Sequence, residues 1–143
     1  MFVGEHFRII DSKGRIFIPV KFREDLIKGV ILSQGFGGRC IFMFSKEGWK
    51  RMEEKIKSKK MSESNTLEFS RWFSSSASEE SMDQQGRTKI PIKLLKYAGL
   101  KKDIVIVGLP DRAEIWDKKE WLKFYEKADS KFRNEKAIEQ LDL

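Results

Sequence analysis

Cysteine and histidine are nearly absent: Cys40 and His6 are the only ones among 143 residues. A single cysteine excludes an internal disulfide and a cysteine-based zinc cluster. A single histidine leaves little for a histidine-ligated metal or a Ser-His-Asp triad. No apolar run approaches the roughly 18 residues that a membrane span needs. Met1–Arg8 places no apolar stretch ahead of its charges, which argues against a secretory signal. The expectation is a reduced, cytoplasmic chain that is not an enzyme. No catalytic residue, metal site, cofactor, small-molecule substrate or membrane partner is nominated.

Charge is abundant: 29 Lys+Arg stand against 22 Asp+Glu, a net +7. It is unevenly placed, with 15 basic and 9 acidic residues in 1–72 against 14 and 13 in 73–143. A basic excess confined to one half suggests an anionic partner met by that half. The apolar share of 40% is enough for a core.

A repeat organises the chain. Asp11-Ser-Lys-Gly-Arg15-Ile-Phe-Ile-Pro19 returns as Asp83-Gln-Gln-Gly-Arg87-Thr-Lys-Ile-Pro91, an offset of 83 − 11 = 72. The same offset maps Lys21 onto Lys93, Phe44 onto Trp116, Lys46 onto Lys118 and Trp49 onto Trp121. Each copy reads alike. The Asp and Gly of Asp-x-x-Gly-Arg make a tight turn, through Asp11 and Gly14 and again through Asp83 and Gly86. A short strand follows, and Pro19 or Pro91 then opens a short helix in its first turn. Two further strands come next, Val30–Leu32 with Ile41–Phe44 and Ile104–Val107 with Ala113–Trp116. A helix closes each unit, capped by Ser45 or Asp117. Trp49, Met52 and Ile56 are its apolar stripe in the first copy, and Trp121, Phe124 and Tyr125 face inward in the second. The units span 1–60 and 76–128. A linker helix at 61–75 carries Phe69, Trp72 and Phe73, and a charged tail occupies 129–143.

A unit of about 50 residues buries too little surface to be stable alone. Two copies interleaving their strands about a pseudo-two-fold axis would solve this and bring both turns to one side. Arg8, Lys13 and Arg15, with Lys21 and Arg23, make the first turn basic. The second has Arg87, Lys89 and Lys93 beside Glu79 and Glu80. A two-stranded ribbon fits the major groove, where an Arg guanidinium pairs with guanine O6 and N7. Lysines and backbone amides would hold phosphates. The alternative for each Asp–Arg pair is a salt bridge that only clamps the turn; both roles are compatible. Cys40 reads as a buried small hydrophobe and His6 as a surface or packing residue.

The tandem Asp-x-x-x-Arg motifs resemble the MraZ family, as do Met1–Gly4, Pro19–Glu24, Lys96–Leu100 and Glu114–Trp116. The resemblance spans essentially the whole chain, departing at Thr88-Lys89 and Ser76. It implies an α+β, β-rich fold in which two tandem AbrB-like swapped-hairpin units form a double-psi-like small barrel with flanking helices. It also implies a nucleoid-associated regulator that binds G-rich direct repeats in promoter DNA of the division and cell-wall gene cluster. Such a regulator usually represses and assembles as a homo-oligomeric ring. Arg15 and Arg87 are the motif arginines, with Lys13 beside the first, whereas Arg8 and Lys89 come from charge and strand placement alone. Two other readings stay open: a protein-interaction module using the tail, and a nucleic-acid enzyme.

Overall fold

The strands of the two repeats pair with each other. The computed structural model describes residues 1–143. The first repeat supplies β1 (Glu5–Ile9), β2 (Arg15–Phe17), α1 (Val20–Leu26), β3 (Val30–Gln34), β4 (Ile41–Phe44) and α2 (Lys46–Lys57). After α3 (Ser64–Ser76), the second supplies β5 (Ser78–Glu80), β6 (Arg87–Lys89), α4 (Ile92–Ala98), β7 (Asp103–Gly108), β8 (Ala113–Asp117) and α5 (Lys118–Phe132). A short α6 (Glu135–Glu139) ends the chain. Six strands form one antiparallel sheet in the order β1-β7-β8-β4-β3-β5, and β2 and β6 form a separate antiparallel ribbon.

That order is unchanged when the repeats are exchanged, which is what a pseudo-two-fold axis requires. The register locates the axis. Ile16 faces Thr88 in the ribbon, and Phe42 faces Glu114 in the sheet. Each of these pairs is 72 positions apart, so each maps onto itself. The hydrogen bonds from Ile18 N to Gly86 O and from Ile90 N to Gly14 O, both 2.9 Å, are likewise exchanged by the axis.

Alternation along the strands sorts the core into two layers. Val30, Leu32, Ile41, Met43, Ile104, Ile106, Ala113 and Ile115 point to one face of the sheet, where Ile16, Ile18, Phe22, Ile90 and Leu94 close over them. The ribbon, α1 and α4 therefore form one cover. On the other face Ile31, Phe42, Phe44, Val105 and Trp116 meet α2, α3 and α5. There Phe73 is fully buried, stacked 5.4 Å from both Phe69 and Trp49, so the linker helix packs on the first repeat.

Several local expectations are corrected. Pro19 and Pro91 sit at the N-cap of α1 and α4 with extended ψ of 136° and 143°, rather than inside the first turn. Ser45 caps α2 through Gly48 N at 3.0 Å. Asp117 occupies the matching position of α5 without capping it, because its Oδ1 accepts from Lys101 N instead. Trp121 is buried and donates from Nε1 to Glu5 Oε2 at 2.6 Å, whereas Phe124 and Tyr125 are half-exposed, Phe124 with its ring 5.3 Å from Trp116 and Tyr125 at the edge of Trp121. The 129–143 segment is helical through Phe132 and again in α6.

Candidate nucleic-acid interface

The two Asp-x-x-Gly-Arg turns have one geometry. Asp11 Oδ1 accepts from Lys13 N and Arg15 N, both at 2.9 Å, while Oδ2 accepts from Arg15 Nε at 2.7 Å. Asp83 repeats this with Gln85 N and Arg87 N at 2.9 Å and Arg87 Nε at 2.8 Å. Gly14 and Gly86 close the turns at φ +75° and +82°, a left-handed region that costs a non-glycine residue about 1–2 kcal/mol. The carboxylate thus ties down the turn and aims the arginine in one motif. Only Nε of each guanidinium is engaged, and Nη1 and Nη2 of Arg15 and Arg87 have no partner within the chain.

These bonds shape the acid response. The Arg15 backbone N–H, aided by the Arg15 guanidinium and the Lys13 backbone N–H, holds the Asp11 carboxyl below its usual value of 3.8. The Arg87 backbone N–H and guanidinium, with Gln85 N–H, do the same for Asp83. A lowered folded-state value means the contribution to stability is complete above 3.8 and is lost as pH falls through the folded-state values. Thermal unfolding followed from about pH 6 down to about pH 2 is expected to show a fall that is shallower in the Asp11→Asn/Asp83→Asn variant.

The ribbon turns one side to solvent. Ile16 and Thr88 are buried, and the flanking pairs Arg15–Lys89 and Phe17–Arg87 point outward together. The turns therefore lie at opposite ends of one ribbon, with both arginines on its outer face. Lys13 lies in the first turn. Arg8 lies apart on β1, opposite Ile104, with Nη1 donating to Phe7 O.

Two features of this face escape a reading by composition. Phe17 is 46% exposed, with the Arg87 guanidinium 5.8 Å from its ring centre. The alternation Ile16-Phe17-Ile18 carries that signal. Arg23 does not belong to the first turn. It lies against Gly86 of the second, so close that a Cβ there would fall 2.3 Å from its guanidinium carbon, and its Nε donates to Ile18 O. Its counterpart Leu95 lies 3.8 Å from the equivalent point on Gly14. Each short helix covers the other repeat's turn, because the strands that lead into the helices cross at the ribbon.

His6 packs edge-on against Phe22 at 5.0 Å. Cys40 is buried, and that burial pushes its thiol well above the ordinary range. Neither joins the ribbon face.

Comparison with known proteins decides the family. The model described as "MraZ protein, putative antitoxin-like" matches residues 1–71 and again 73–142. The chain belongs to the MraZ family. Its relatives include the transcriptional regulator MraZ of Natranaerobius thermophilus, 42% identical over 134 residues, covering 94% of this chain and 93% of that protein. The transcriptional regulator MraZ of Heliobacterium modesticaldum is 43% identical over 128 residues, covering 90% and 89%. The two MraZ matches meet the repeat found at the offset of 72, so each contributes one strand and one arginine to the ribbon. No helix is long and apolar enough to cross a membrane.

Proposed function

We propose that the chain is a sequence-specific regulator of transcription that binds double-stranded DNA through the outer face of the β2–β6 ribbon. One observation carries this reading: two carboxylate-oriented arginines share one solvent face and keep their Nη pairs free. A major groove about 12 Å wide admits such a ribbon, and a free guanidinium edge matches guanine O6 and N7. Arg15 and Arg87 read bases, Lys13 and Lys89 contact phosphates near the first turn and along the ribbon, and Arg8 adds charge on the neighbouring strand. Asp11, Gly14, Asp83 and Gly86 hold the turns that aim the arginines.

Family membership supports the rest. The target is a set of G-rich direct repeats in the promoter of the division and cell-wall gene cluster, and binding represses it. The intertwined units at 1–60 and 76–128 are of the AbrB-like swapped-hairpin kind, with the ribbon and the sheet facing each other across one core as a double-psi-like small barrel that stays open at β1 and β5. Copies assemble as a ring in the cytoplasm at the nucleoid. The unpaired outer edge of β1, with Phe7 and Ile9 exposed, offers one contact surface for that assembly.

Fluorescence anisotropy on duplex DNA from upstream of the chain's own gene, against a scrambled duplex at two salt concentrations, tests the reading. Affinity for the native duplex is expected to remain above that for the scrambled one as salt rises. Equal affinities that collapse together with salt would reduce the interaction to phosphate neutralisation.

A further inference from the structure

The pseudo-two-fold axis relates the backbone of the repeats but not their charge. Lys101, Lys102, Lys118 and Lys119 line a cleft of about 380 Å³ where β7 and α5 begin. The offset of 72 carries them onto Gly29, Val30, Lys46 and Glu47. On that related side the surface beside the second turn presents Glu79 and Glu80 with Lys28, and Lys46 is drawn to Glu79 at 3.7 Å. The fold itself does not demand the lysines.

None of the four ammonium groups is ion-paired: none lies within 4.0 Å of a carboxylate. That of Lys118 lies 5.6 Å over the Phe7 ring. Asp103 and Asp117 also line the cleft, but Asp117 is buried and its Oδ1 is taken by Lys101 N at 3.2 Å. The cleft thus carries four positive charges against two negative.

Its position joins it to the first turn. Ile10 N donates to Lys102 O at 2.9 Å, and Ile9 pairs with Asp103. Asp11 follows at once, and Lys13 is three residues beyond Ile10. Three residues reach at most about 10 Å. That is the axial rise of about three nucleotides on one strand.

We propose that this lysine cleft grips the phosphate backbone of the duplex beside the bases read by the ribbon, on the first-turn side only. On the other side Glu79 and Glu80 offset Lys28 and Lys46, leaving no positive excess for the backbone, so a nearly symmetric protein binds DNA in one orientation. The inference rests on the DNA-binding reading of the ribbon and adds residues that lie outside the repeat motif.

The test measures anisotropy against salt for the full chain carrying Lys101→Gln, Lys102→Gln, Lys118→Gln and Lys119→Gln together. A control carries Lys123→Gln and Lys127→Gln, farther along α5. Each phosphate that is no longer neutralised lowers the slope of log affinity against log salt by about 0.9. The fourfold variant is expected to lose about 2 or more from that slope and to weaken on native and scrambled duplexes alike, preserving their ratio. The control is expected to keep the wild-type slope. An unchanged slope in the fourfold variant, or an equal loss per lysine in the control, would overturn the proposal.

A second readout tests orientation. With Cys40 buried, Lys119→Cys supplies an accessible thiol for a tethered DNA-cleaving reagent. Cuts are expected on one flank of the binding site, and equal cutting on both flanks would contradict a single orientation. If Arg15→Ala weakens binding while the lysine variants do not, only this inference fails. If Arg15→Ala also has no effect, the ribbon reading fails with it.

Discussion

Replacing Phe22 with alanine is expected to lower folding stability by about 3–5 kcal/mol. Phe22 is fully buried in the layer between ribbon and sheet, with Phe2 and His6 meeting its ring edge-on at 5.1 and 5.0 Å. It is the anchor of α1, a helix of only seven residues that would not persist without tertiary packing. Truncation removes the apolar area and leaves a cavity that surrounding side chains fill only in part. A loss of that size is a large share of the ~5–15 kcal/mol that holds a domain together. Through α1 it also loosens Arg23 from Ile18 O and from the second turn. Urea unfolding gives the number, and Val20→Ala, on the same helix but 73% exposed, is the control expected to change stability by no more than about 0.5 kcal/mol.

Arg15→Ala is expected to weaken binding to the native duplex by about 1–3 kcal/mol, roughly 5- to 150-fold, while the scrambled duplex is affected much less. Arg15 lies on the outer face of the ribbon, while the buried Ile16 and Ile18 hold the strand to the core. Its removal therefore spares the fold, and the expected fall in thermal midpoint is only the small one that follows from losing the solvent-accessible Asp11–Arg15 pair. Arg87→Ala is expected to act in the same direction, since Asp83 orients that side chain as Asp11 orients Arg15. Arg15→Lys is the sharper comparison. It keeps the positive charge but loses the planar fork, so it should retain the salt dependence and lose the preference for the native duplex. If lysine works as well as arginine, phosphate attraction suffices and no base is read.

Much of this was legible in residue order. An Asp-x-x-Gly-Arg turn satisfies its own backbone through the Asp carboxylate, so its geometry is local and its two copies agree. The offset of 72 even locates the axis, once Ile16 is seen to face Thr88. Properties set by how the repeats cross were not legible. Arg23 reads as a neighbour of Arg15 in sequence but covers the other turn, because β2 and β6 run antiparallel before their helices begin. Lys101 and Lys102 are some 90 positions from the first turn and reach it only because β7 pairs with β1. On α5, the helical period marks Trp121, Phe124 and Tyr125 alike, yet only Trp121 is buried, while Phe124 covers Trp116 from the half-exposed flank and Tyr125 reaches no farther than Trp121. Asp117 reads as a cap and is diverted by the backbone of Lys101, a contact no local pattern encodes.

Contact between Arg15 and a guanine is tested most directly by a double-mutant cycle on the native duplex. Each guanine in turn is replaced by 7-deazaguanine, which removes the N7 acceptor from the major groove, and binding is measured for wild type and Arg15→Ala. At one guanine the two changes are expected to be non-additive, with the base change costing wild type tenfold or so and the variant almost nothing. Additive losses at every guanine would contradict major-groove reading by this arginine.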